Sequence, residues 1–349
     1  MRLGANIGYL VGRDPRVHLE LAKHADALGY DSVWVAEAYG SDSPTVLAWI
    51  AAQTTRIDIG SAVMQIPART PAATAMTAAT LDMLSAGRFR LGLGVSGPQV
   101  SEGWHGVRFD KPLGRTREYV EIVRDALARK TVRHEGEHFP LPLPDGPGRP
   151  LKLTLHPVRE TIPIYLAAVG PKNLQLAGEI ADGWLAIFFS PEYAGESMVH
   201  IAAGLERSGR TVADFDVVPS VPVVVGDDLQ ACADELRPYA ALYIGGMGSR
   251  ERNFYNQQAI RMGFEDAARK VQDLYLARQH REAMAAVPFE FIDQTSLIGP
   301  VERISERLDA FATAGVTTLS VTSPSSDADI RQLTLRAVAE ALDTSGLGD

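Results

Sequence analysis

Phe89-Arg90-Leu91-Gly92-Leu93-Gly94-Val95-Ser96-Gly97-Pro98-Gln99 decides the fold, because it offers two incompatible readings. Gly92, Gly94 and Gly97 formally spell G-x-G-x-x-G. A dinucleotide-binding fingerprint must follow a strand and open a helix directly. Phe89–Gly94 reads as a strand, but Pro98-Gln99 and a loop holding Trp104, His105 and Gly106 precede the next helix signal. The required context fails. The better reading is a strand end where glycines and Ser96 let a flat ligand approach the backbone closely.

Working outward, short apolar runs alternate with segments of helical period. Before the opening stretch, strand signals lie at Leu3–Tyr9, Ser32–Ala36 and Ile57–Ala62. After it they lie at Ile162–Val169, Gly183–Phe188, Val217–Val225 and Thr318–Val321. Helix signals follow them: Pro15–Leu28, Ser43–Thr54, Pro71–Ser85, Arg115–Arg129, Lys172–Ala181, Pro191–Ser208 and Asp327–Leu342. Eight strands alternating with helices predict an α/β fold, a (β/α)₈ TIM barrel, as a single domain over 1–349. The segment 226–317 is too long for one crossover. It reads as a mostly helical insertion between strands seven and eight, with helices at 228–242, 252–278 and 300–314. Gly245-Gly246-Met247-Gly248 reads as a flexible joint within it, and Leu151–Leu155 as a short extended piece.

The 349 residues are 46% hydrophobic and 22% charged, enough to bury a large core without staples. Disorder and collagen-like structure are excluded. The net charge of −9 comes without a basic tail, so neither nucleic acid nor an anionic membrane is an expected partner. Cys232 is the one cysteine, which excludes an intrachain disulfide and a cysteine-based zinc site; no metal is expected. It reads as a packed thiol, which suits a reducing compartment. The most apolar stretches, such as Val217–Gly226, fall far short of the ~18 residues a membrane helix needs. Met1-Arg2-Leu3-Gly4 runs straight into a strand signal with no signal peptide read before it, and a cytoplasmic location is expected.

Barrel chemistry sits at the C-terminal ends of the strands. After strand two stands Glu37, either a pocket carboxylate or a capping one. After strand five comes Val169-Gly170-Pro171-Lys172-Asn173. Free N–H groups at that helix entrance would hold a phosphate, with Lys172 adding charge; an ordinary N-terminal proline is the plainer reading. His105 is a candidate acid or base, or simply a loop histidine. Arg250, Arg252 and Arg261 could meet an anionic substrate or form a solvated face. Zincin, α/β-hydrolase and P-loop patterns do not occur in the sequence.

Several stretches together resemble one family: Leu28-Gly29-Tyr30-Asp31-Ser32-Val33-Trp34-Val35-Ala36-Glu37, Gly60-Ser61-Ala62-Val63, Gly87 to Gly97, Gly170-Pro171-Lys172-Asn173-Leu174, Leu176 to Trp184 and Leu297-Ile298-Gly299-Pro300. In order and spacing the chain is similar to the luciferase-like, coenzyme F420-dependent oxidoreductases of actinobacteria. It looks nearest to the methylenetetrahydromethanopterin reductase type. The resemblance implies a deazaflavin at the strand ends. It further implies a cis peptide at Ala62–Val63 pressing on the ring, Ser96 and Gly97 beside the ring, and the cofactor phosphate at Val169–Asn173. Family habit implies a homodimer and a small-molecule substrate. Sugar-phosphate dehydrogenases of this family carry a histidine beside the acidic residue after strand two; here the pair reads Glu37-Ala38. Their glutamate in the strand-four loop is also absent, where Pro98 or Gln99 stands. The expected reaction is therefore direct hydride transfer, with Glu37 orienting the cofactor or a water and His105 the other named acid. Two alternatives stay open: an FMN-dependent luciferase-like monooxygenase, and a barrel that binds a cofactor without turnover.

Overall fold

The strands are built of residues that tolerate burial on both faces, as parallel strands must. The computed structural model describes every residue except Val11, Arg13 and Asp349. Eight parallel strands close a barrel: β1 (Arg2–Gly8), β2 (Ser32–Val35), β3 (Asp58–Ser61), β4 (Phe89–Gly94), β5 (Ile164–Ala167), β6 (Gly183–Ile187), β7 (Asp216–Val225) and β8 (Thr318–Thr322). Each pairs with its neighbour in chain order, and β8 closes the ring against both β1 and β7, with Leu319 opposite Leu3 and Ser320 opposite Ser220. The TIM-barrel expectation is met.

Helices α1 (Arg16–Ala27), α2 (Ser43–Ala51), α3 (Pro71–Leu84), α4 (Pro112–Leu127), α5 (Pro171–Ile180) and α6 (Ala194–Arg207) connect the first seven strands. Asp42 caps α2 and Thr70 caps α3, each accepting an N–H of the first turn. Helix α4 starts three residues before the expected Arg115, because Pro112 suits a first-turn position. Leu151–Leu155 joins no strand ladder.

The segment between β7 and β8 forms α7 (Leu229–Ala241), α8 (Phe254–Arg261), α9 (Glu265–Leu276), α10 (His280–Ala285), α11 (Phe289–Thr295) and α12 (Val301–Thr313). The chain then ends on α13 (Ala328–Ser345). The single helix expected over 252–278 is two helices, parted where Gly263 takes a φ of +87°. A short strand, Leu297–Gly299, is added to the outer end of β7. The segment carries its own apolar cluster, including Cys232, Leu236, Ile244, Val271 and Phe291, joined to the barrel by Phe188 and Val224. The glycines expected to be a flexible joint are packed instead: Gly245 and Gly246 lie flat on Tyr275, where an added Cβ would come within 2.5 Å of its side chain.

Inside the barrel, Trp34 of β2 and Tyr165 of β5 meet edge to face at 5.2 Å, with Val218 beside them. The facing strands give way with glycine: a Cβ on Gly60 would sit 2.4 Å from the Trp34 ring, and one on Gly183 2.4 Å from Tyr165. Below these rings, charges close the N-terminal end. Arg90 bonds Asp58 at 2.8 Å, Arg2 bonds Asp216 at 3.0 Å, and the Tyr165 hydroxyl donates to Asp216 at 3.0 Å. One end of the barrel is thus plugged, and the strand C-terminal ends form the open mouth.

Candidate active site

At the end of β3, the Ser61 hydroxyl donates to the Gly92 carbonyl at 2.8 Å and accepts from the Gly92 N–H at 2.9 Å. The next peptide, Ala62–Val63, is cis, as the resemblance implied. Met64–Gln65 then rejoins β4 opposite Leu93 and Gly94. Ala62 rests on the Trp34–Tyr165 layer, together with Leu185. This arrangement assigns the glycines of β4 a role different from the expected one. A Cβ on Gly92 would lie 1.8 Å from the Ser61 carbonyl oxygen, and one on Gly94 2.6 Å from Val63. They admit the chain's own bulge. Gly97 does stand open, since an added Cβ would meet only the Gln99 side chain, at 3.5 Å. Ser96 takes a left-handed backbone, φ +61°, which turns the chain out of β4 into the helical turn Pro98–Ser101.

Glu37 is nearly buried and directed into the fold. Its Oε1 accepts from Arg69 Nη2 at 2.8 Å and the Ser43 N–H at 3.2 Å. Its Oε2 accepts from Arg69 Nη1 at 2.7 Å and the Gln65 N–H at 3.2 Å. Arg69 also pairs with Asp42, and the Glu37 carboxylate beside it holds its guanidinium above the ordinary range. Every acceptor direction of Glu37 is therefore spoken for by this fork and the two backbone donors. The carboxylate braces the Ala62–Gln65 bulge from β2 and leaves no lone pair for proton transfer. Arg69, which carries half of this device, had no signal in the sequence beyond standing before the α3 cap.

Across the mouth, Gly170 caps α5 without any side-chain hydrogen bond. The N–H groups of Asn173 and Leu174 both turn back to the Gly170 carbonyl. Among the described residues, those of Gly170 and Lys172 find no acceptor. The Gly170 and Lys172 N–H groups are thus free, as the reading of this helix entrance requires, while that of Asn173 is spent locally. A Cβ on Gly170 would meet nothing within 4 Å, so space lies ahead of the helix end. Positive charge gathers there: Lys172 is exposed, and Arg261 of α8 reaches the Val169 carbonyl at 3.1 Å. Of the other two arginines, Arg250 pairs with Asp273 at the surface and Arg252 is exposed.

The two sides of the mouth are contiguous. Gly94 touches Val63 on one side and faces Ala167 on the other, and Asn173 Nδ2 donates to the Ala167 carbonyl at 3.4 Å. Glu37, Ala62, Val63 and the Val169–Asn173 turn therefore share one rim. His105 is half-buried in the loop after β4, and its Nε2 is shielded and unpartnered. No hydrogen bond joins it to the other candidates among the described residues.

A closed parallel barrel, with a braced bulge after β3 and an open helix end after β5, defines an enzyme-type mouth at the strand C-terminal ends. The chain belongs to the luciferase-like monooxygenase family, which it matches over residues 2–318. It is 44% identical over 334 residues, 94% of this chain and 96% of the other, to a Mycobacterium tuberculosis protein named as a coenzyme F420-dependent oxidoreductase. It is 31% identical to the 5,10-methylenetetrahydromethanopterin reductase of Archaeoglobus fulgidus, over 86% of this chain and 88% of that one. In structure it superposes on the coenzyme F420-dependent tetrahydromethanopterin reductase of Methanopyrus kandleri with a TM-score of 0.82, covering 97% of each chain. At 21% identity that likeness bears on the fold.

Proposed function

We propose that this chain is a coenzyme F420-dependent oxidoreductase, moving hydride between C5 of the deazaflavin and a small organic substrate. The observation that carries the reading is the open N-terminus of α5 on the rim. Its Gly170 and Lys172 N–H groups, with Lys172 and Arg261 behind them, form an anion site of the kind a cofactor phosphate requires. The residues fit such a group, since Gly170 and Gly97 leave space that side chains would fill. The names of the relatives agree with it.

When bound, the deazaflavin supplies the hydride chemistry at C5. The chain's own residues position and shield. Val169, Gly170, Pro171, Lys172 and Asn173 hold the phosphate, while Ala62, Val63, Ser96 and Gly97 bound the ring. Glu37 holds the bulge through Gln65 and acts as a positioning residue. His105, in the loop above, is the second candidate catalytic residue. The insertion 226–317 works with the barrel as one domain and roofs the substrate.

The protein acts in the cytoplasm, which suits the buried, unpaired Cys232 thiol, and as a homodimer. The outer face of α3 supports the second point. Ala72, Met76, Thr80, Met83 and Leu84 are exposed there, and the one charged residue of α3, Asp82, is turned inward to Arg159. A surface helix with no outward charge is an association face.

Titration of the purified protein with F420 and with FMN tests the reading. F420 should bind at micromolar or tighter affinity, about −8 kcal/mol or better. Tight FMN binding without F420 binding overturns it in favour of a flavin monooxygenase. F420 binding with no turnover of any acceptor leaves only a carrier.

A further inference from the structure

Three neutral polar side chains share the inner wall of the barrel across from the Ala62–Val63 bulge, and the cofactor contacts above use none of them. They are Asn6 of β1, Ser220 of β7 and Thr322 of β8. Asn6 stands opposite Trp34 in the β1–β2 ladder, so it shares the inward face of that ring. Ser220 is two residues beyond Val218, which packs on the same Trp34–Tyr165 layer, and Thr322 meets Ser220 at 3.3 Å. All three are partly exposed, whereas Ala5, Ile7, Val221 and Val321 beside them are buried. The other end of the barrel is plugged by the Arg90 and Arg2 ion pairs, so that exposure comes from the mouth. A Cβ on Gly8 would meet nothing within 4 Å, which leaves open space directly beyond Asn6. On an eight-strand ring β7 and β8 lie opposite β3 and β4, so the trio and the bulge face each other across the mouth.

The hydrogen bonds leave this wall with donors to spare. Asn6 Oδ1 accepts the Gly8 N–H at 3.0 Å, which fixes the orientation of the amide, since a backbone N–H can only donate. Asn6 Nδ2 then donates one proton to Ser220 Oγ at 3.1 Å and keeps the other. Ser220 and Thr322 share one hydrogen bond between two hydroxyls, so whichever donates, one hydroxyl proton remains. Among the described residues, no charged side chain bonds to the trio. Ser320, opposite Ser220 in the ladder and two residues before Thr322, is buried with its hydroxyl unpartnered, so the polar patch continues below the trio. An amide proton and a hydroxyl proton side by side, with no cation bonded to them, match an uncharged oxygen acceptor. A charged group would lose its water here without a counter-charge.

We propose that Asn6, Ser220 and Thr322 form the polar subsite for the substrate, donating two hydrogen bonds to the carbonyl oxygen of an uncharged molecule. The proposal rests on the hydride-transfer reading, which puts the substrate at this mouth. The three residues bind and select; the subsite favours neutral carbonyl compounds over anions such as sugar phosphates.

Menadione serves as the probe, because it is flat and uncharged and carries carbonyl acceptors but no donor. 2-Methylnaphthalene has its shape without the oxygens, and 1,4-naphthoquinone-2-sulfonate adds a charge. Binding to the full chain is measured by calorimetry, with and without oxidised F420 present. Menadione should bind at least tenfold more tightly than either counterpart. Asn6→Asp, of the same size, turns the free amide donor into an acceptor and should weaken menadione at least tenfold. Ser220→Ala with Thr322→Val removes both hydroxyls and should weaken it about three- to tenfold. Neither change should move 2-methylnaphthalene or F420 affinity more than about twofold. If the double variant does not fold, Asn6→Asp decides alone. Loss of F420 affinity in a folded variant would place the cofactor on the trio, and unchanged menadione binding would leave the trio structural; each overturns the proposal. So does a wild type that binds menadione no better than 2-methylnaphthalene. If F420 fails to bind, the parent reading falls, and menadione binding to the cofactor-free chain still decides the subsite.

Discussion

Replacing Glu37 by glutamine separates a bracing carboxylate from one that touches the cofactor. Glu37 accepts four hydrogen bonds, two from the Arg69 fork and one each from the Ser43 and Gln65 N–H groups. Glutamine keeps one acceptor oxygen. Whichever way the amide turns, its NH₂ faces one arginine N–H and one backbone N–H, leaving two buried donors unpaired. Each costs about 1–3 kcal/mol, and Arg69 keeps Asp42 as a partner, so the loss should be about 3 kcal/mol. An unfolding entropy of about 2.1 cal/mol/K per residue over 349 residues gives roughly 0.7 kcal/mol per degree. The Tm should therefore fall by about 4 °C in scanning calorimetry. With the NH₂ in the Oε2 place the Gln65 N–H is the freed backbone donor, and with it in the Oε1 place the Ser43 N–H is; either way the brace on the bulge is weakened, and F420 affinity should drop about tenfold, ~1.4 kcal/mol. A drop in affinity with an unchanged Tm would mean that Glu37 contacts the cofactor directly. No change in either would refute the bracing argument altogether.

Reversing charge at the helix end with Lys172→Glu should weaken F420 about three- to tenfold, and unchanged affinity would place the phosphate elsewhere. Gly92→Ala forces a Cβ to 1.8 Å from a backbone oxygen and should cost at least 3 kcal/mol by denaturant titration, whereas Gly97→Ala should leave stability intact and weaken the cofactor only. His18 is buried with neither ring nitrogen paired, and burial, with Arg331 nearby, holds its pKa below the usual 6.5. The folded chain keeps it neutral while the unfolded chain takes a proton, so stability is full above pH 6.5 and declines as pH falls below it. His18→Leu should flatten that decline when Tm is compared at pH 7.5 and 5.5. Met76→Lys with Met83→Glu should convert a dimer to monomer in light scattering, with little change in Tm; a wild-type monomer would remove the proposed interface.

The eight strands and most helices could be read in advance because their signals are local. An apolar run bounded by turn residues, or a proline opening a helix, carries its instruction within a dozen residues. The β5–α5 turn was legible for that reason, with Gly170-Pro171 at a helix entrance. The failures follow a pattern. Gly92 and Gly94 were visible as places of close approach, but what approaches is the bulge from β3, about 30 residues earlier in the chain. Gly245-Gly246 looked flexible because nothing nearby in sequence shows that Tyr275 lies on them.

Taken alone, the residue order determined the alternation, the barrel, the place of the mouth and the candidates on its rim. The tertiary structure alone decided what those candidates face. Glu37 could be seen to follow a strand, but only the packing of β2 against the β3–α3 segment brings Arg69 to it and turns a possible base into a brace. Phe188 and Phe291 lie 103 residues apart in the chain, and only folding of the insertion onto the barrel brings their rings to 5.4 Å. The physical reason is range. Backbone conformation is set by neighbours along the chain, whereas a carboxylate's charge partner or a ring's packing partner is set by whichever segments the closed barrel brings within a few ångströms.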